Sequence, residues 1–204
     1  MTITAERPGT DLAAARRAMI DSQLRTSGVN DPAVLEAFAR VAREDHVPAP
    51  ARAHAYIDRA IPLGDGHALA APLFHGRMLI EAGLQADDKV LLVSCGSGYL
   101  AALLEGLVAK VTTVSAADAA AGKGLGKSGG SYSLILIDGA IEQLPDGLAA
   151  RLEDAGRLVT GLVERGVTRL ATGRKATGTV ALLPLAEMGI PVLAEFAAPK
   201  RWSF

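Results

Sequence analysis

The feature that most narrows the fold lies in the middle of the chain. Lys89-Val90-Leu91-Leu92-Val93 is a short unbroken apolar run. Ser94-Cys95-Gly96-Ser97-Gly98 follows directly, and Tyr99 to about Val108 is apolar at helical spacing. Such a run suits a parallel strand buried on both faces. Strand, glycine turn and helix in succession open a doubly wound α/β sheet. Glycine permits positive φ and close backbone approach. The helix N-terminus adds unpaired N–H groups and the positive end of a dipole. Open α/β sheets bind ligands at the carboxyl ends of their strands. The loop lacks the full G-x-G-x-x-G spacing, so a dinucleotide is not indicated. A tight turn holding no ligand is the plain alternative, and spacing does not choose between them.

The surrounding segments extend the pattern. Lys110–Val114, Tyr132–Ile137 and Arg157–Thr160 read as further strands, and Pro145–Glu153 as a helix. Val167–Ala171 and Thr179–Leu183 read as a hairpin joined by Thr172-Gly173-Arg174-Lys175. Upstream, residues 1–10 read as a frayed tail. Asp11 caps a helix to about Thr26, and Asn30-Asp31-Pro32 starts a second that ends before Pro48. Residues 50–72 read as loop with short strands, and Pro72 opens a helix to about Ala82. The expectation is one domain over 1–204, with a helical N-terminal segment and loop over 1–82 and a Rossmann-like core over 83–204. Residues 115–131, SAADAAAGKGLGKSGGS, break the rhythm: they suit a short helix at 116–121 and a flexible loop, not a core strand.

Composition excludes several classes. Of 204 residues half are hydrophobic, enough for a sizeable core, and the formal net charge is -1. That balance offers no electrostatic footprint for nucleic acid or an anionic membrane. No stretch reaches the roughly 20 apolar residues of a membrane span, and the N-terminus lacks a signal-peptide core. The single Cys95 allows no internal disulfide and suits a reducing compartment, so the cytoplasm is expected. His46, His54, His67 and His75 lack metal-ligand spacing, so no metal is expected. Ser97 lacks evident His and Asp partners, and Tyr99 reads as packing beside the loop. Gly122–Ser128 ends in Gly-Lys-Ser but has Ala121 where a phosphate loop needs its first glycine.

Three stretches together resemble one family. They are Met19–Gly66, then Pro72-Leu73-Phe74-His75-Gly76-Arg77-Met78, then Val90 to Ala102, which is similar to the motif VLEIGTGSGYQAA. The family is the protein-L-isoaspartate O-methyltransferases, and the resemblance covers about residues 14–115 and 131–161. It implies a mostly parallel methyltransferase sheet and S-adenosylmethionine as cofactor. It also implies methyl transfer to the abnormal carboxylate of L-isoaspartyl residues in damaged proteins. Ser94, Cys95, Gly96, Ser97 and Gly98 would line the cofactor, with Ser115 at the ribose position and Asp138 at the end of the third strand. Gly64, Gly66, His67 and Pro72 would shape the substrate loop.

The sequence departs from the family at those places. Ala68 and Ala70 stand where the family has Thr and Ser hydroxyls implicated in orienting the carboxylate, so no catalytic residue is assigned. Ser94 stands for the first glycine, which predicts backbone strain and a Cβ facing the ligand. Leu92 replaces an acid in the strand, and Ser115 replaces the ribose-binding acid, with Asp118 three residues on read as a solvated helix residue. The elements that would contact adenine are collapsed into residues 116–131. His67, at a Gln position, could meet a ligand carboxylate or cap the loop, and the cap is the simpler reading. Two outcomes stay open: an active carboxyl methyltransferase, or an inactive relative, without cofactor, serving as a binding or oligomerisation module. A methyltransferase with another acceptor and Asp138 as base is a third. The apolar residues 178–199 allow a homodimer through an edge strand.

Overall fold

Asp11 accepts a hydrogen bond from the Ala14 amide and starts helix α1, Leu12–Met19. A π turn at Ile20–Leu24 and a 3-10 turn at Arg25–Ser27 carry the coil on to Gly28. Asp31 caps α2, Pro32–Arg40, with Pro32 at its first position, as the Asn-Asp-Pro signal implies. A hairpin of β1, Ile61–Gly64, and β2, His67–Leu69, follows. Helix α3 runs Pro72–Ala82 and stops at Gly83, which takes the left-handed conformation (φ +54°). These are the bounds the sequence implies for that helix. The computed structural model describes residues 11–126 and 130–199. The expectations for residues 1–10 and for the middle of the 122–131 loop lie outside them.

The core begins with β3, Lys89–Ser94, and α4, Tyr99–Leu104. Helix α4 is shorter than its apolar spacing suggests, because Glu105 turns extended and Gly106 takes φ +80°. Then come β4, Lys110–Ser115; α5, Ala116–Ala120; β5, Tyr132–Ile141; and α6, Asp146–Ala149. The helix expected over 145–153 is one turn only, because Leu152 already pairs with Tyr132. Strand β6 spans Leu152–Glu164, β7 Val167–Ala176 and β8 Thr179–Glu187.

The six strands lie in the order β4-β3-β5-β6-β7-β8. The first four are parallel, and β7 and β8 are antiparallel additions. Two-residue turns join the antiparallel part: Arg165-Gly166 (φ +53° and +78°) and Thr177-Gly178 (φ +50° and +83°). Two left-handed residues match the twist of the flanking strands. The expected connection at Thr172–Lys175 is thus wrong, since those residues lie inside β7. Gly173 is there for packing: a Cβ would sit 2.7 Å from the Ala181 carbonyl oxygen.

Two cores cover the sheet. Helices α1 to α4 and the β1–β2 hairpin pack on one face around Phe38, Phe74, Met78, Leu92 and Tyr99. The second core joins Leu91, Val93, Ile135 and Ile137 to α5, α6, Leu193 and Phe196. Strand β3 therefore sends alternate residues to opposite cores, which is why its run is unbroken. Leu125, in the segment expected to be a loose linker, is buried in the second core. No further strand lies beyond β4 among the described residues. The outer edge, β8, contains Pro184, a residue that sheets confine to edges and bulges. No helix among the described residues is long and apolar enough to cross a membrane.

Candidate active site

The glycine loop sits at the carboxyl end of β3 between two parallel neighbours. Ser94 is in register with Ser115 at the end of β4. Gly96 (φ +95°) and Gly98 (φ +71°) take the positive φ values, whereas Ser94 stays in the strand. The strain expected at Ser94 is therefore absent, and the substitution costs the backbone nothing. A Cβ placed on Gly96 would meet no heavy atom within 4 Å, so that side of the loop opens outward. The loop also braces itself: the Gly96 amide donates to Ser94 Oγ, and the Tyr99 amide donates to Ser97 Oγ. Ser115 Oγ accepts from the Asp118 amide, capping α5, and donates to the Asp118 carboxylate at 2.8 Å. Asp118 thus stands exposed beside Ser115 at the start of α5.

Asp138 sits differently from its expected place. Its side chain is 1% exposed and faces inward. His75 Nε2–H donates to Oδ1 at 2.7 Å and the Cys95 thiol donates to Oδ2 at 3.1 Å. With both oxygens engaged behind the loop, Asp138 ties β5 to the loop and to α3. Both its oxygens are thus taken by the protein's own donors. Burial pushes its carboxyl up, but His75, the Cys95 thiol and Arg43 outweigh burial and hold it below the usual carboxylate range. Burial and then the Asp138 carboxylate push the Cys95 thiol up to about 12, so it stays neutral and unreactive.

Arg43 supports the same region from the other side. It is fully buried, and its guanidinium lies 4.9 Å from the Tyr99 ring centre. Nε donates to the Ala55 carbonyl at 2.7 Å and Nη2 to the Ala70 carbonyl at 2.5 Å. Ala70, where the family has a hydroxyl, thus anchors the loop through its backbone. His46 Nδ1 donates to the Ser97 carbonyl at 3.0 Å and its ring meets Tyr99 edge-on. Tyr99 packs beneath the glycine loop as its sequence position suggests.

The candidate substrate loop is the β1–β2 turn. Gly64, Asp65 and Gly66 all have positive φ, and Pro72 occupies the first turn of α3. Ala68 lies in β2 opposite Pro62. His67 Nε2 donates to Glu195 Oε1 at 2.8 Å, joining the loop to the C-terminal segment instead of capping the turn. No cluster of three metal-ligating side chains occurs among the described residues. A cleft of 560 Å³ between α2 and the end of α3 shares no residue with this region, and its one acid, Asp31, is engaged in capping α2.

Sequence reading missed Arg43, His75 and Glu195 because their partners are distant along the chain. His75 had a signal: it falls between Phe74 and Gly76 on the buried face of α3, and its partner Asp138 breaks the apolar run that follows Ser133 in β5. Each is a polar group in a position that burial demands be paired.

Known proteins give an independent comparison. A family model described as protein-L-isoaspartate(D-aspartate) O-methyltransferase matches residues 14–122. The protein-L-isoaspartate O-methyltransferase of Roseiflexus castenholzii is 35% identical over 170 residues, covering 73% of this chain and 78% of that protein. That of Koribacter versatilis is 34% identical over 191 residues, covering 83% and 86%. A structure described as this methyltransferase from Plasmodium falciparum, in complex with S-adenosyl-L-homocysteine, superposes with a TM-score of 0.68. It covers 90% of this chain and 98% of its own at 17% identity, and so attests the fold.

Proposed function

Because the chain belongs to the protein-L-isoaspartate(D-aspartate) O-methyltransferase family, we propose that it methylates the abnormal carboxylate of L-isoaspartyl residues in damaged cytoplasmic proteins, with S-adenosylmethionine as donor. The observation that carries this reading is the loop at the end of β3. Gly96 holds a left-handed backbone with open space on its outer side, between two parallel strands. A Cβ would project into that space, so the residues present fit a ligand that approaches the backbone closely. Ser94, Ser97 and Gly98 frame the same opening, Cys95 anchors it from behind, and Ser115 with Asp118 closes its β4 side.

When bound, S-adenosylmethionine supplies a methyl group already activated on a sulfonium; the carboxylate oxygen gains the methyl and S-adenosylhomocysteine leaves. The protein's own task is positioning. Arg43 fixes the Ala70 carbonyl and hence the end of the substrate loop. Asp138 fixes Cys95, and His46 fixes Ser97. Both loops are thus braced by contacts from the protein behind them, and alignment of the two reactants supplies much of a displacement's rate. No specific observation favours the inactive alternative.

Titration of the full chain with S-adenosylhomocysteine in a calorimeter, beside a methyl-transfer assay on an isoaspartyl peptide, tests the reading. Micromolar affinity is expected. At a hundredfold excess over Kd the ligand adds about 2.7 kcal/mol of stability, which raises the Tm by roughly 5–10 °C for a domain of this size. The isoaspartyl peptide should be methylated and its aspartyl counterpart not. Absence of heat and of any Tm change at millimolar ligand would overturn the assignment.

A further inference from the structure

The His67–Glu195 pair is unusual in where it lies. His67 is on β2, three residues before Ala70, whose carbonyl accepts from Arg43, which in turn lies over the Tyr99 ring at the start of α4. Glu195 is in the short turn Ala194–Phe196. That segment is fastened to β5: Val192 bridges Ala140, the Leu193 amide donates to the Ala140 carbonyl, and Phe196 accepts from the Glu142 and Gln143 amides. Leu193 packs on Gly139, next to Asp138 and so to Cys95. The neighbours of the two partners are buried in different cores, Leu69 beside His67 in one and Leu193 with Phe196 around Glu195 in the other, so the pair links the two.

The chemistry of the pair is that of a carboxylate held by an imidazole N–H. Neither side chain is sealed off: His67 is 30% exposed and Glu195 22%. Glu195 is also badly satisfied. Its Oε2 is buried without a hydrogen-bond partner among the described residues. An unpaired buried acceptor is costly, so this carboxylate is poised to leave His67 for a better-solvated position. The neighbouring Ala68 and Ala70 offer no side-chain donor to an incoming carboxylate, whereas His67 does.

We infer that His67 is the anchor for the substrate's carboxylate, and that Glu195 occupies that anchor as an internal stand-in until an isoaspartyl residue displaces it. The inference rests on the methyltransferase reading above and names the group that recognises the acceptor. His67 supplies a side-chain hydrogen bond from the one loop position that retains a donor. Glu195 competes for it within the same chain, so the free carboxylate of a substrate must outbid a tethered one. The pair thereby disfavours acceptors that cannot place a full carboxylate against His67.

Four variants of the full chain test this with an isoaspartyl peptide as acceptor: His67→Ala, His67→Gln, Glu195→Gln and the double variant His67→Ala/Glu195→Gln. Each is checked by Tm and by S-adenosylhomocysteine affinity, which should stay within about twofold of the wild type. Loss of a hydrogen bond to a charged group predicts that His67→Ala raises the peptide KM about tenfold or more, with little change in kcat. His67→Gln restores an N–H donor and should recover most of that loss. Glu195→Gln removes the charged competitor and should lower KM about threefold or more. In the double variant KM should match His67→Ala alone, because a vacated anchor gains nothing from losing its competitor. A purely structural ion pair predicts instead that both single substitutions raise KM; that result, or an unchanged KM in His67→Ala, overturns the anchor while leaving the methyltransferase reading intact. A wild type that neither binds S-adenosylhomocysteine nor methylates the peptide overturns both.

Discussion

Asp138→Ala is expected to lower the unfolding free energy by about 3–5 kcal/mol, the usual cost of removing one partner from a buried charged pair. For a domain of this length that corresponds to a fall in Tm of roughly 10 °C. The cause is local. The carboxylate is 1% exposed and accepts from His75 Nε2 and from the Cys95 thiol. Alanine leaves both donors, with the nearby Arg43, facing a void. Asp138→Asn keeps the shape and one acceptor and should lose less than Ala. Cys95→Ala breaks only the thiol bond and should cost about 1 kcal/mol. Chemical denaturation of the four proteins checks the order. Equal stability for Asp138→Ala and wild type would mean that the carboxylate holds nothing together.

The same carboxyl sets an acid limit. Its folded value is depressed, so its stabilising contribution is fully present above the unfolded carboxyl value. As pH falls below that value the unfolded chain takes up the proton first, and the contribution declines until the folded carboxyl is protonated too. The wild type should therefore lose more stability than Asp138→Asn between about pH 5 and pH 2. Parallel stability curves for the two proteins over that range would exclude Asp138 as the source.

Gly96→Val is expected to weaken S-adenosylhomocysteine binding by about tenfold to a hundredfold, the roughly 1–3 kcal/mol cost of forcing extra atoms into filled space converted at about 1.4 kcal/mol per tenfold. Stability should fall by only about 1–3 kcal/mol, the cost of holding a non-glycine residue in a sparsely populated region. The two effects separate because of the geometry. At φ +95° a β-branched side chain is strained, yet its Cβ meets no protein atom within 4 Å. What the side chain fills is the space proposed for the ligand. Gly106→Val offers the control: also at positive φ and facing open space, it lies outside the loop and should pay the strain without the loss of binding. Calorimetry and Tm on both variants decide it, and equal affinities would place the ligand elsewhere.

Position along the chain explains what could be read early. The caps Asp11 and Asp31, the Pro72 start, and strands β3 to β6 all follow from residues within one or two turns of each other. Where a glycine served packing, the local reading failed. Gly173 resembles a turn and lies inside a strand, because the constraint on it is the Ala181 backbone across the sheet. The true turn, Thr177-Gly178, has the left-handed pair that a two-residue hairpin needs.

The sequence by itself determined the type of sheet, the place of the glycine loop and the family, since each depends on local periodicity and on an ordered motif. Only the tertiary structure decided what the polar groups around that loop do. Asp138 turns inward to His75 and Cys95, 63 and 43 residues away, Arg43 takes the carbonyl of Ala70, and His67 meets Glu195 across 128 residues. The physical reason is that burial obliges a polar side chain to find a partner, but the partner's identity depends on which strand ends and helix faces the folded sheet brings together.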